Sequence, residues 1–146
     1  MPRVERKATI VWEGNVARGH GTIDGQSGAL RSLEYSLPTR IGDAAGKTSP
    51  EELIAAAHGA CFAMALSSEL SKLGHPPEQL QVTCVVTLDE VEPGKHRIVR
   101  SALTARGRVP GVADDEFQRA AKDAEEGCPV TAVLDTEITL EAQLER

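Results

Sequence analysis

The sequence predicts a mixed α+β domain spanning residues 1–146, with elements in the order βββ-α-ββ-αα-β, and three observations carry that prediction. The front of the chain is broken into short β-type runs by Gly14, Gly25 and Gly28. A long apolar, alanine-rich stretch follows, with a helix start signal at one end and a stop signal at the other. The rear combines a hairpin, a helix with an alanine face, and a closing strand of clean alternation.

The first strands are Ala8 to Trp12 and Gly19 to Ile23; a third, Leu33-Glu34-Tyr35-Ser36-Leu37, alternates at period two. For the long helix, Ser49 as N-cap, Pro50 at the first helical position and Glu52 three residues after the cap predict a capping box. The helix should run to about Leu73 and stop at Gly74, ahead of Pro76-Pro77. Its first half is apolar on every side, the pattern of a central helix surrounded by protein. Gln81 to Val91 and His96 to Val109 flank Glu92-Pro93-Gly94-Lys95, which suits a type II turn. Asp114 or Asp115 can cap a helix carrying Phe117, Ala120, Ala121 and Ala124, ended by Gly127. A short helix from Pro129 to Leu134 precedes a last strand with Ile138, Leu140, Ala142 and Leu144 on one face.

Composition excludes several classes. At 146 residues the chain is long enough for a real core, yet it has only four aromatics: Trp12, Tyr35, Phe62 and Phe117. Alanine and valine must fill much of that core, so completion of burial against a second subunit is expected. A formal charge of −6 with no basic cluster gives no electrostatic case for nucleic acid. The first residues have no apolar core of a signal peptide. The longest apolar run, Leu53 to Leu66, is short for a bilayer and fits a buried helix. Three cysteines without an export signal argue for the cytoplasm and against a structural disulfide framework.

The three thiols differ in setting. Cys84 shares a strand face with Val82, Val86 and Leu88 and reads as a packed core thiol. Cys61 lies mid-helix in Ala56-Ala57-His58-Gly59-Ala60-Cys61-Phe62-Ala63-Met64, where the helix end offers it nothing. Cys128, between Gly127 and Pro129, falls at the start of a new helix, where unsatisfied N–H groups and the positive dipole end should lower its pKa. Physics alone would therefore nominate Cys128 as the attacking thiol. His58, three residues before Cys61, reads as a core histidine; a Cys–His pair or a zinc site with Cys128 is the other reading.

The stretch Thr48-Ser49-Pro50-Glu51-Glu52-Leu53 through Met64, with Gly127-Cys128-Pro129-Val130, resembles the OsmC/Ohr family of thiol peroxidases. Trp12-Glu13-Gly14 and Glu137-Ile138-Thr139-Leu140 extend the resemblance over nearly the whole chain, and its pattern is that of the osmotically inducible OsmC branch. The resemblance implies an intertwined homodimer with central helices packed between two sheets and sites at the subunit interface. It implies a stress-linked peroxidase in which Cys61 attacks an organic hydroperoxide and Cys128 resolves the product as a disulfide. A dithiol reductant of the lipoyl type would recycle it, with no metal or other cofactor, no membrane and no nucleic acid involved. It places an activating arginine at Arg40, in Leu37-Pro38-Thr39-Arg40-Ile41-Gly42; the Ohr branch would instead use the position of Arg18.

Such an arginine, held by Glu51 and aimed at the Cys61 sulfur, would stabilise thiolate. Glu52 is expected to be taken by the capping box, leaving Glu51 for this role. Glu51 and Cys61 are ten residues apart, about 15 Å along one helix, beyond the reach of a glutamate side chain. If both serve one site, the glutamate comes from a second subunit or acts through an intermediary. The competing readings are a non-enzymatic, stress-induced structural or ligand-binding dimer, and a metal-binding protein using His58, Cys61 and Cys128.

Overall fold

The computed structural model describes residues 3–145 and divides into two compact units, Met1–Leu53 and Ile54–Arg146. In the first, strands β1 (Ala8–Glu13), β2 (His20–Gly25) and β3 (Leu33–Tyr35) form an antiparallel meander. Its register pairs Ile10 with Ile23 and Gly21 with Tyr35. The third strand is two residues shorter than its alternation predicts. Ser36 leaves the sheet to cap a short helix, α1 (Leu37–Ile41), of which the sequence reading takes Leu37 as strand and gives the rest no element. Ser36 Oγ accepts from Thr39 N at 3.3 Å, while Thr39 Oγ1 accepts from Ser36 N at 3.2 Å. Reciprocal capping with Pro38 in the first turn overrides the strand pattern.

Helix α2 (Pro50–Lys72) begins as predicted, with Glu52 N donating to Ser49 Oγ at 3.1 Å. The reciprocal half of the predicted box goes elsewhere: the Glu52 carboxylate accepts from the Thr48 hydroxyl at 2.7 Å. The helix closes on a Schellman arrangement, His75 N to Leu70 O and Gly74 N to Ser71 O, both at 3.0 Å.

In the second unit, β4 (Gln79–Glu92) and β5 (Lys95–Arg108) form the predicted hairpin, and β6 (Glu137–Leu144) joins β5 in parallel, giving the order β4-β5-β6. The hairpin turns on Pro93-Gly94; proline fixes a negative φ and Gly94 has φ +76°, as a type II turn requires. The parallel β5–β6 pair is bridged by α3 (Asp114–Gly127) and α4 (Pro129–Val133). The cap of α3 is Ala113 rather than either aspartate. The Glu116 carboxylate accepts from Ala113 N at 3.1 Å, and alanine has nothing to return. The core joins Phe62, Leu66 and Leu70 of α2 to Leu103 and Ala105 of β5 and to Phe117, Ala120, Ala121 and Ala124 of α3. Gly107 is required by this packing: a Cβ there would stand 2.8 Å from the Phe117 ring. Along β6, Ile138, Leu140, Ala142 and Leu144 pack against the core while the alternate residues are exposed.

The expected surrounding of α2 is incomplete in the single chain. His58, Phe62, Leu66 and Leu70, spaced every four residues, are wholly buried. On another face Ala56, Ala57, Ala60 and Met64 are exposed, Met64 to 76%. By length and composition α2 could cross a membrane, contrary to the shorter apolar run read from sequence. Its buried stripe, however, carries a histidine bonded at both nitrogens to hydroxyls of the same unit, the mark of a protein core.

Candidate active site

In the first unit, α1 carries Arg40 and the first turn of α2 carries Glu51. They form a bidentate pair: Arg40 Nε to Glu51 Oε1 at 2.9 Å and Nη2 to Oε2 at 2.6 Å. Glu51 is only 8% exposed, whereas the Arg40 side chain keeps about a third of its surface. The Glu51 bond, and beyond it the charges of Glu51 and Tyr35, outweigh burial and raise the Arg40 pKa, so the guanidinium is a permanent cation. Arg18, by contrast, is exposed and makes no ion pair among the described residues. Beside Arg40 opens a cleft of about 160 Å³ lined by Trp12, Val16, Tyr35, Ser36 and Leu37. Trp12 and Tyr35 wall it with tilted rings whose centroids are 5.6 Å apart.

In the second unit, Cys61 and Cys128 adjoin, each thiol shifting the ionisation of the other. Neither is in a disulfide. Cys128 is the N-cap of α4, with Pro129 as the first helical residue. Burial alone would push its pKa up. The Thr131 amide, the Cys61 thiol, the Thr131 hydroxyl and the Val130 amide together outweigh that and bring it below the ordinary thiol value. Cys61 moves the other way, raised by burial first and by its bond to Cys128, with the Val130 amide opposing. Access is reversed as well: Cys128 is 1% exposed, Cys61 partly open.

Sequence reasoning missed the polar chain beneath these thiols. His58 Nδ1 lies 2.6 Å from Ser101 Oγ, and Nε2 lies 2.8 Å from Thr131 Oγ1. Cys84 Sγ is 3.2 Å from Ser101 Oγ, so Cys84 packs against the core as predicted but also bonds. Burial lowers the His58 pKa and keeps the ring neutral. The inward register of Ser101 on β5 and the place of Thr131 three residues after a capping cysteine are its only sequence signals. No three His, Cys, Asp or Glu side chains converge on a metal position among the described residues. Phe62 is wholly buried on the helix face roughly opposite Met64, because two helical positions turn about 200°.

A family model described as OsmC-like protein matches residues 42–143. The chain belongs to the OsmC family. It is 43% identical over 141 residues to the peroxiredoxin OsmC of Escherichia coli strain K12, with 97% of each chain covered. The peroxiredoxin OsmC of Shigella flexneri gives the same identity and coverage. Among solved structures, the fold matches the organic hydroperoxide resistance protein OhrB of Bacillus subtilis (TM-score 0.69, 24% identity, covering 95% of this chain and 98% of that one). An organic hydroperoxide resistance protein from Elizabethkingia anophelis matches at TM-score 0.75 and 23% identity, covering 99% of both. An OsmC-like protein of Vibrio cholerae matches at TM-score 0.76 and 18% identity, covering 96% of this chain and 99% of that one. The OsmC fold of this chain thus carries two prepared assemblies, a clamped arginine and an adjoining thiol pair.

Proposed function

We propose that this OsmC-family chain is a thiol-dependent peroxidase that reduces organic hydroperoxides, with Cys61 attacking and Cys128 resolving. The adjoining thiol pair, with pKa values shifted in opposite directions and with opposite exposure, is the observation that carries this reading. The partly open thiol is the one a peroxide can reach, which favours Cys61 despite its raised pKa. Its thiolate attacks the outer peroxide oxygen; the O–O bond breaks, the sulfur becomes a sulfenic acid, and the alkoxide leaves as alcohol with a proton. The Cys128 thiolate, already favoured by its helix start, attacks the Cys61 sulfur and expels the hydroxyl as water with one more proton. An external dithiol, of the lipoyl type in the family resemblance, then supplies two electrons and two protons. Attack on the accessible Cys61 sulfur releases Cys128, and a low-pKa thiol leaves faster.

The cation that Cys61 lacks would come from Arg40, clamped by Glu51 and contributed by the second subunit of a homodimer. Two observations support this. Ten helical residues, about 15 Å, separate Glu51 from Cys61 on their own chain. An apolar stripe through Ala56, Ala60 and Met64 lies uncovered in the single chain, as a surface awaiting a partner would. The cleft lined by Trp12, Val16 and Leu37 beside Arg40 suits the alkyl part of a hydroperoxide. The metal-binding alternative is disfavoured because hydroxyl groups already occupy both His58 nitrogens.

One equivalent of cumene hydroperoxide added to the reduced protein should remove two thiols and yield one equivalent of alcohol. Cys128→Ser should still lose the Cys61 thiol but form no intramolecular disulfide, and should gain two oxygens in mass as it over-oxidises. Unchanged thiol content would leave the structural dimer as the reading. Cys61 inert in Cys128→Ser would exchange the two roles.

A further inference from the structure

Neither mechanistic thiol accounts for the buried chain Cys84–Ser101–His58–Thr131, which ends beside Cys128. Its members come from four elements: β4, β5, α2 and the first turn of α4. Each hydroxyl has one proton, and a neutral imidazole has one donor and one acceptor nitrogen. Two tautomers of the ring therefore satisfy every bond. In one, Thr131 donates to His58 Nε2, the ring donates from Nδ1 to Ser101, and Ser101, whose oxygen can accept twice, either donates to Cys84 or accepts from it. Thr131 then has no proton left for Cys128. In the other, Cys84 donates to Ser101, Ser101 to His58 Nδ1, and His58 Nε2–H to Thr131 Oγ1. The Thr131 hydroxyl is then free to turn toward Cys128, the N-cap of the helix in which Thr131 is the third residue, where an N3 side chain lies beside the cap. A thiolate only accepts, so an ionised Cys128 selects the second tautomer. No carboxylate or cation bonds any member of the chain among the described residues; its titratable neighbours are Cys84 beside Ser101 and Cys61 beside Cys128.

We infer that His58 and Thr131 are positioning residues for Cys128: the ring, held as the Nε2–H tautomer by Ser101, keeps the Thr131 hydroxyl turned as a donor to the Cys128 thiolate. The role rests on Cys61 and Cys128 being the redox pair, since it readies Cys128 for disulfide formation and for leaving on reduction. With Ser101 and, at 3.8 Å, the Cys84 sulfur at Nδ1, Thr131 at Nε2 and no solvent access, the ring cannot flip without breaking its bonds in the core.

The test reads ionisation without peroxide, so its failure is separable from failure of the peroxidase reading. Cys128 is titrated by ultraviolet thiolate absorbance in reduced Cys61→Ser, as the difference from the same protein also carrying Cys128→Ser. Thr131→Val, which keeps shape and loses the donor, should raise the midpoint by about one unit, a tenfold loss of thiolate near neutral pH. Thr131→Ser should restore it. His58→Phe should move the midpoint the same way by less, and ¹⁵N shifts of the otherwise unaltered protein should show His58 protonated at Nε2 once Cys128 is ionised. An unmoved midpoint in folded Thr131→Val, or an Nδ1–H or doubly protonated ring, would overturn the assignment. Peroxide consumption, measured separately, tests the catalytic reading.

Discussion

Cys61 and Cys128 touch, yet the backbone has made them opposites. Cys61 sits in the body of a long helix, where burial favours the protonated thiol and the Val130 amide of α4 only partly opposes it. Cys128 caps a five-residue helix; its sulfur makes no capping hydrogen bond, but the Thr131 and Val130 amides at the helix start lower its pKa. The accessible thiol thus has the raised pKa, and the sealed thiol the lowered one. Amides, the Thr131 hydroxyl and the Cys61 thiol together lower the pKa of the sealed thiol, and no comparable set serves Cys61. The first unit, by itself, holds a fixed charge in Arg40, oriented by a buried carboxylate.

The largest effect should come from removing the exposed member of the pair. Cys61→Ser should drop peroxide reduction to the uncatalysed rate, because a serine hydroxyl is almost wholly protonated and a poor nucleophile toward an O–O bond. Steady-state consumption of cumene hydroperoxide checks this. Turnover at the unsubstituted rate would break the contrast outright, since the sealed thiol would then be doing the attack.

A smaller but sharper test concerns the imported charge. Glu51→Ala frees Arg40 from its two bonds and should cost about 100-fold in turnover, the scale of a misplaced catalytic group. Mixing Glu51→Ala with Cys61→Ser and refolding allows hybrids with an intact Cys61 on one chain and an intact Glu51 on the other. Each homodimer should be weak or dead, and the hybrid should regain about one working site of two. No recovery, with hybrid formation confirmed by mass, would mean that Glu51 acts within its own chain or only serves the helix end.

Local chemistry was the legible part of this sequence. The Pro93-Gly94 turn, the Ser49 cap, the stop at Gly74 and the alternation of β6 depend on neighbours in sequence, and each appears in the fold. The errors are equally local and arise where two signals compete. The Leu33–Leu37 alternation lost to reciprocal capping by Ser36 and Thr39, and Glu52 chose the Thr48 hydroxyl over its own cap. Arg40 and Glu51, eleven residues apart, were expected as partners and do pair; nothing in the spacing gave the bidentate geometry. The His58 chain was illegible for a different reason. Its bonds join residues 43 and 73 positions apart, and a serine at an inward strand position looks like any other until the fold sets a ring against it.

The smallest effect concerns stability, and its sign follows from the same contrast. The folded pKa of Cys128 lies below the ordinary thiol value that the unfolded chain recovers, about 8.5. Below both values the thiol is protonated in either state and contributes nothing through ionisation. As pH rises between them, the folded state loses its proton first, so the unfolded state binds more protons and stability climbs. Above about pH 8.5 both are ionised and the gain is complete; on acidification it is lost as pH falls through the folded value. Denaturant midpoints at fixed protein concentration should therefore rise with pH more steeply in the unsubstituted reduced protein than in Cys128→Ser, with the difference confined to that window. Serine keeps the cap and the shape but has no charge to gain, so parallel curves would mean that the amides of α4 bind an uncharged thiol. Cys128 would then owe its role to position alone, and the electrostatic half of its contrast with Cys61 would fall.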